Sequence, residues 1–251
     1  MEQNKNRIGF LSGSTLKIIA CVLMAIDHIG LELLGDYLPF RIIGRLAFPI
    51  FAFFIAEGCK YTKNKLKRFQ LIFTIGTIYM AFYYFSLDSL YCNIFMTFSV
   101  SILLIYLIDY LKKQIFIHKS LWKSLLVALS LILALSSAYL LSKIFTFEYG
   151  FWGMIVPVCV SLVDFHNISA PKIFKALDNH AVRLILLTLA LIPLSIFGKL
   201  RDIQYFCLFS LIPMLFYNGK EGNKKLKFSF YVFYPVHLII IELIAFLINY
   251  F

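Results

Sequence analysis

The chain has 251 residues, 61% of them hydrophobic and only 15% charged, with 24 Lys and Arg against 13 Asp and Glu for a formal charge of +11. That much apolar surface exceeds what a water-soluble domain of this length can hide, so composition excludes a soluble globular protein. The basic excess lies in short loops between apolar runs, where it sets membrane topology and does not call for a nucleic-acid partner.

Apolar runs of about 17 to 25 residues recur along the whole length, which fits α-helices across a hydrocarbon core of roughly 30 Å and excludes a barrel of short alternating strands. The expected fold is an all-α, polytopic integral membrane protein, a single domain over 1–251 with about nine transmembrane helices (eight to ten). The spans fall near 16–34, 39–58, 68–87, 91–111, 121–141, 149–166, 181–197, 203–217 and 228–250. The eighth is short and interrupted by Pro213. The N-terminus, 59–68, 112–123, 167–183 and 218–227 hold nearly all the Lys and Arg, whereas 35–38, 88–90, 142–148 and 198–202 hold three between them. This alternation puts the N-terminus in the cytoplasm.

The first span opens with Lys17 and runs through KIIACVLMAIDHIG to Asp27, His28 and Glu32. Lys5 and Arg7 precede it as in a signal peptide, but two polar residues inside the run and the lack of a small-residue cleavage site make it a retained helix. Eleven residues separate Lys17 from His28, so at 100° per residue they share a face about 16 Å apart along the axis. The lysine marks the cytoplasmic mouth and the histidine sits deep.

The second span carries Arg41 and Arg45, four apart and therefore on one face. Arg45 and His28 fall at similar depth, so adjacent antiparallel helices can bring them together. Each ionisable residue facing lipid at mid-membrane costs about 2.5 to 3.5 kcal/mol, which turns Asp27, Arg41 and Arg45 toward a protein interior or a water-filled cavity. One reading is a structural pin, Asp27 on Arg45 with His28 as a hydrogen-bonded packing residue. The other is a functional pocket, in which a neutral imidazole takes a proton and a cationic donor stabilises charge on a carbonyl oxygen. A lysine about 16 Å away could then hold a phosphate of a long acyl donor such as acetyl-CoA. Asp, His and Arg inside helices also mark ion paths, so a transporter or proton relay using the Asp27, His28, Arg41 and Arg45 cluster is the alternative. A noncatalytic scaffold is a third possibility. Five scattered cysteines without CxxC or ligand spacing imply neither a disulfide framework nor a metal site.

These segments resemble the TraX family, named for the F-pilin acetylase and placed within the broad acyltransferase-three group of membrane acyltransferases. The resemblance rests on LKIIACVLMAIDHIG, FRIIGRLAFPIFAFFIAEG, Asn93 to Thr97, EYGFWG at 148–153, Gln204 with LFYNGKEG at 215–222, and FYVFYPVHLIII at 230–241. The wider group's basic residue, ten others, then histidine is matched by Lys17 and His28. Its paired arginines are matched by Arg41 and Arg45 with a spacing of four where three is usual, which leaves their division of roles open. The resemblance implies transfer of an acetyl group from cytoplasmic acyl-CoA to an amine or hydroxyl of a peptide, pilin-like or glycan acceptor at the bacterial cytoplasmic membrane. His28 would be the general base, Glu32 one turn on would orient its ring, and Asp27 would pair with an arginine. Lys17 would bind the CoA phosphates, with Lys60 and Lys63. Asn93, Glu148, Tyr149, Gln204 and His237 become candidates for acceptor contacts or for support of the site.

Overall fold

The computed structural model describes residues 9–87, 90–166, 168–198 and 201–250. Lys5, Arg7 and Lys199, which contribute to the loop-charge expectation, lie outside them, as do positions 88 and 89 of one predicted loop. Among the described residues the architecture is all-helical apart from two two-residue strands. Six helices among the described residues are long and apolar enough to cross a membrane, Gly13–Glu32, Leu38–Tyr61, Ile94–His118, Leu121–Ile144, His180–Phe197 and Phe228–Ile248. This is a membrane protein. The helix Lys65–Leu87 has 23 residues, a length of about 34 Å. Two predicted spans are shorter or broken: Gly150–Ser161 has 12 residues, and the eighth is a four-residue helix, a 3₁₀ turn Tyr205–Ser210 and Leu211–Leu215.

The described residues gather into two compact units, one of 9–54 with 201–250 and the other of 55–198. In the first, α1 (Gly13–Glu32) starts at Ser12, whose hydroxyl accepts from Thr15 N at 3.2 Å and so caps an orphan amide. The next free amides, Gly13 N and Ser14 N, donate to the carbonyls of Lys220 and Glu221 at 2.8 and 2.9 Å. The start of α1 and the basic segment 218–227 therefore lie on one side. Helix α2 (Leu38–Gly44) returns antiparallel to α1, with Gly30 against Phe40 and Gly44 against Asp27. The chain turns at Arg45 and Leu46 before α3 (Ala47–Tyr61) begins. Pro49 explains the break, since it lacks the N–H that would reach the Arg45 carbonyl. The last helix (Lys227–Tyr250) packs on α1 and supplies the far wall of the same unit.

The second unit is built from helices that pack side by side. These are α4 (Lys65–Leu87), α5 (Ile94–Lys113, running on as a π-helix over Gln114–His118), α6 (Leu121–Ile144), α7 (Gly150–Ser161) and α9 (His180–Phe197), with the short α8 (Lys172–Leu177) before the last. Asn93 caps α5 through Phe95 N at 2.9 Å, and Asn179 caps α9 through Val182 N at 3.0 Å. Strands β1 (Tyr91–Cys92) and β2 (Thr146–Phe147) pair in parallel and tie the basic-poor turns together. Lys60 to Asp178 and Lys65 to Asp109 tie the basic-rich ends. Helix α6 buries only Val127 and Ala138 and turns Leu125, Leu129, Ile132, Leu133 and Leu140 outward. An apolar helix so exposed is stable only in lipid.

Candidate functional site

The first unit holds a carboxylate clamped by two guanidiniums. Asp27, Arg41 and Arg45 are all buried. Arg41 Nη1 donates to Asp27 Oδ1 at 2.7 Å, Arg45 Nη2 donates to Asp27 Oδ2, and Arg45 Nε donates to the Arg41 carbonyl at 3.2 Å. The outer edge of Arg41 meets the exposed Asp36, with Nε 3.0 Å from Oδ1. The i,i+4 spacing of the arginines puts both on the α1 side of their segment, and Gly44, with no side chain, allows the close approach. Asp27 is thereby committed, and the two guanidiniums are balanced by its own charge and that of the exposed Asp36.

His28, the next residue, is half-buried. Its ring meets that of His237 from the last helix, with centroids 5.3 Å apart and planes at 66°. His237 is buried, stacks on Phe233 at 4.7 Å, and has Nδ1 2.8 Å from the Phe233 carbonyl. That carbonyl can only accept, so Nδ1 carries the proton and Nε2 is left with a lone pair. Glu32, expected to orient His28, is exposed. Lys17 is half-buried, its ammonium 4.8 Å from the Phe54 ring centroid and 5.7 Å from that of Phe230. Gln204 is buried, and its Nε2 finds no hydrogen-bond partner among the described residues.

The second unit places the other candidates differently. Asn93 is fully buried, spending its carbonyl oxygen on the α5 cap and its amide on Gly76 O at 2.8 Å. Thr97 Oγ1 donates to the Glu148 carbonyl at 2.8 Å, and Tyr149 enters α7 at φ 60° in the left-handed region. Lys63 is exposed. Lys60 is not presented at a loop surface. It is buried, with Nζ 2.7 Å from Asp178 Oδ1 and 3.9 Å from Asp164 Oδ1. Arg183 joins this cluster, 2.5 Å from Glu57 Oε2 and 3.2 Å from Asp178 Oδ1, and Lys112 closes it through the carbonyls of Ser161 and Asp164 at 2.9 and 3.0 Å. Burial pushes the Asp178 carboxyl up, but the Lys60 hydrogen bond and the Arg183 charge outweigh it and hold it below the usual carboxylate range. At Asp164 burial wins over the charges of Lys60 and Arg183, and the carboxyl is pushed up. Sequence reasoning passed over this cluster, although Glu57, Asp164 and Arg183 each lie within a predicted span and meet the rule that singled out Asp27.

The model of the TraX protein family matches residues 12–245. The chain belongs to the TraX family. The chain is 28% identical to the probable fimbrial assembly protein FimC, serogroup H1, of Dichelobacter nodosus over 250 residues, 90% of this chain and 93% of that one. It is 35% identical over 120 residues to an uncharacterized protein of Rickettsia prowazekii, covering 38% of this chain and 48% of the relative. No solved structure matches. The TraX match runs from the capping Ser12 through His237, so it includes both the clamp and the histidine pair.

Proposed function

We propose that this TraX-family protein is a membrane acyltransferase that moves an acetyl group from cytoplasmic acetyl-CoA to an amine or hydroxyl acceptor. The observation that carries the reading is the position of His28, a half-buried imidazole inside a membrane helix, next to a carboxylate already neutralised by two arginines. The acceptor's nucleophilic atom attacks the thioester carbonyl carbon while its proton passes to a ring nitrogen of His28. The guanidinium N–H groups of Arg41 and Arg45 stabilise the oxyanion as it forms. Collapse breaks the C–S bond, and the thiolate leaves with the proton from His28. Lys17, three turns earlier on the same face, binds a phosphate of CoA.

The fimbrial name of the Dichelobacter relative supports a pilin-like or surface-exposed acceptor, with glycans as the hydroxyl option. The same reading places the chain in the acyltransferase-three group and in the bacterial cytoplasmic membrane. It has nine crossings and a cytoplasmic N-terminus, and this is supported by the hydrogen-bonded grouping of basic-rich segments at one end of each unit.

The test is transfer of labelled acetyl from acetyl-CoA by the purified protein across a panel of peptide and glycan acceptors. His28→Ala, folded by size exclusion, should lose at least about 100-fold in rate. Full transfer by that variant removes His28 from the mechanism. The second buried ionic cluster, around Arg183, favours the alternative of a proton relay or transporter. Substrate uptake into liposomes without acyl-CoA is the result that would support it.

A further inference from the structure

His237 pairs with the proposed base and takes the place that sequence reasoning gave to Glu32. Its Nδ1–H is spent on a carbonyl of its own helix, one turn back, so the opposite nitrogen points away from that helix. Nε2 is buried and has no hydrogen-bond partner among the described residues. An acceptor lone pair left unmet in the membrane costs free energy, so such an atom calls for a donor within reach. The His28 ring packs against that of His237, with centroids 5.3 Å apart and planes at 66°. Tyr234 also faces His237, at 5.8 Å between centroids. Asp27, the neighbour of His28 in sequence, is held by Arg41 and Arg45.

We propose that His28 and His237 form a neutral dyad in which His237 Nε2 accepts the N–H of His28, fixing its tautomer and sharing the charge when His28 becomes protonated. This rests on the acyl-transfer reading. In the step, the acceptor's X–H proton goes to the free nitrogen of His28, the X–C bond forms, and the carbonyl electron pair moves to oxygen. The other N–H of His28 is then shared with His237 Nε2. When the C–S bond breaks, the thiolate takes the proton from the first nitrogen and both rings return to their starting forms. His237 is a positioning residue: it touches neither substrate and gains no net proton. Contacts of this kind are commonly long in the resting enzyme and close in the reacting complex.

The experiment compares His237→Phe with His237→Gln. Phenylalanine keeps the stack on Phe233 and the edge contact with His28 but has no acceptor. Glutamine loses the ring but can place Oε1 where Nε2 was. The dyad predicts that His237→Phe lowers kcat about 100-fold with the KM for acetyl-CoA changed by no more than about twofold, and that His237→Gln recovers most of that loss. A packing role predicts the reverse order, and that order overturns the proposal. A second readout does not depend on turnover: ¹⁵N-histidine spectra of the wild type in detergent should show an N–H···N coupling between the two rings on acidification, absent in His28→Ala. Missing coupling in a folded wild type also overturns the dyad. Coupling without transfer to any acceptor would retain the dyad and remove the acyltransferase reading.

Discussion

Arg41 Nη1 lies 2.7 Å from Asp27 Oδ1, joining residues fourteen apart in sequence across two antiparallel helices. With Arg45 on the other oxygen, one buried carboxylate answers two buried guanidiniums. Asp27→Ala leaves Arg45 without its carboxylate partner and Arg41 with only the exposed Asp36, so it should destabilise the fold by about 3 to 5 kcal/mol. Thermal unfolding in detergent reads this directly. Replacing all three by apolar residues (Asp27→Leu, Arg41→Met, Arg45→Met) removes the desolvation cost together with the pairing and should recover most of the stability. If the clamp also serves the chemistry, that triple variant stays inactive in acetyl transfer. A fully active triple variant would make the clamp a pin and nothing more.

Gly44 sets the approach of the two helices. A Cβ built there lies 2.7 Å from Asp27 Oδ1 and 2.5 Å from its Cγ, closer than packed atoms tolerate. Gly44→Ala must push α2 off α1 or turn the carboxylate away from its arginines. Overpacking of this kind costs about 1 to 3 kcal/mol. The expected result is a lowered melting temperature with transfer reduced alongside it. Unchanged stability would mean that the helix pair has slack at this contact.

How far the sequence reached depended on whether a feature was local. Arg41 and Arg45 share a face because they are four apart, Arg45 and His28 match in depth because both helices are counted from one turn, and Asp27 is the neighbour of His28. The clamp was therefore legible. The pairing of His28 with His237 was not, because it joins the first helix to the last and no periodicity connects them. Lys60 reads as a loop lysine in sequence, and only the fold shows that Asp178, 118 residues away, draws it inside. The eighth span read as a short helix because hydropathy does not distinguish α from 3₁₀ turns, whereas Pro213 and the aromatic run before it favour a broken segment. Asn93 looked like a site residue, and its side chain is used in capping and in holding Gly76.

Tyr149 enters α7 with φ 60°, followed by Gly150 at φ 56°. A non-glycine residue in the left-handed region costs roughly 1 to 2 kcal/mol. Tyr149→Gly relieves that cost but deletes the ring. If the tyrosine serves only the fold, stability should change little and transfer should be normal. If it contacts an acceptor, the melting temperature should hold or rise while the KM for acceptor increases and the KM for acetyl-CoA does not. That split in kinetics is the measurement, and equal effects on both substrates would remove Tyr149 from acceptor binding.

Asp164 and Asp178 face the same two cations, yet their carboxyls are displaced in opposite directions. Asp178 is held below the usual carboxylate value of about 3.9, so its contribution to stability is present above that pH and is lost as pH falls through the lower folded value. Asp164 is raised, so the folded protein holds its proton more tightly than the unfolded chain. Its charge is a burden at neutral pH, and stability from this residue grows as pH falls through the raised value. Asp178→Asn should therefore lower the melting temperature at pH 7, by the several kcal/mol expected when one partner of a buried pair is removed, about 3 to 5. The deficit should shrink in acid. Asp164→Asn keeps an oxygen for His166 N, which now donates to Oδ1 at 3.1 Å, and should leave stability at pH 7 unchanged or improved. Melting curves of the two variants and the wild type between about pH 3 and 8 separate the cases. Equal losses for both variants at pH 7 would mean that the cluster does not distinguish its two acids.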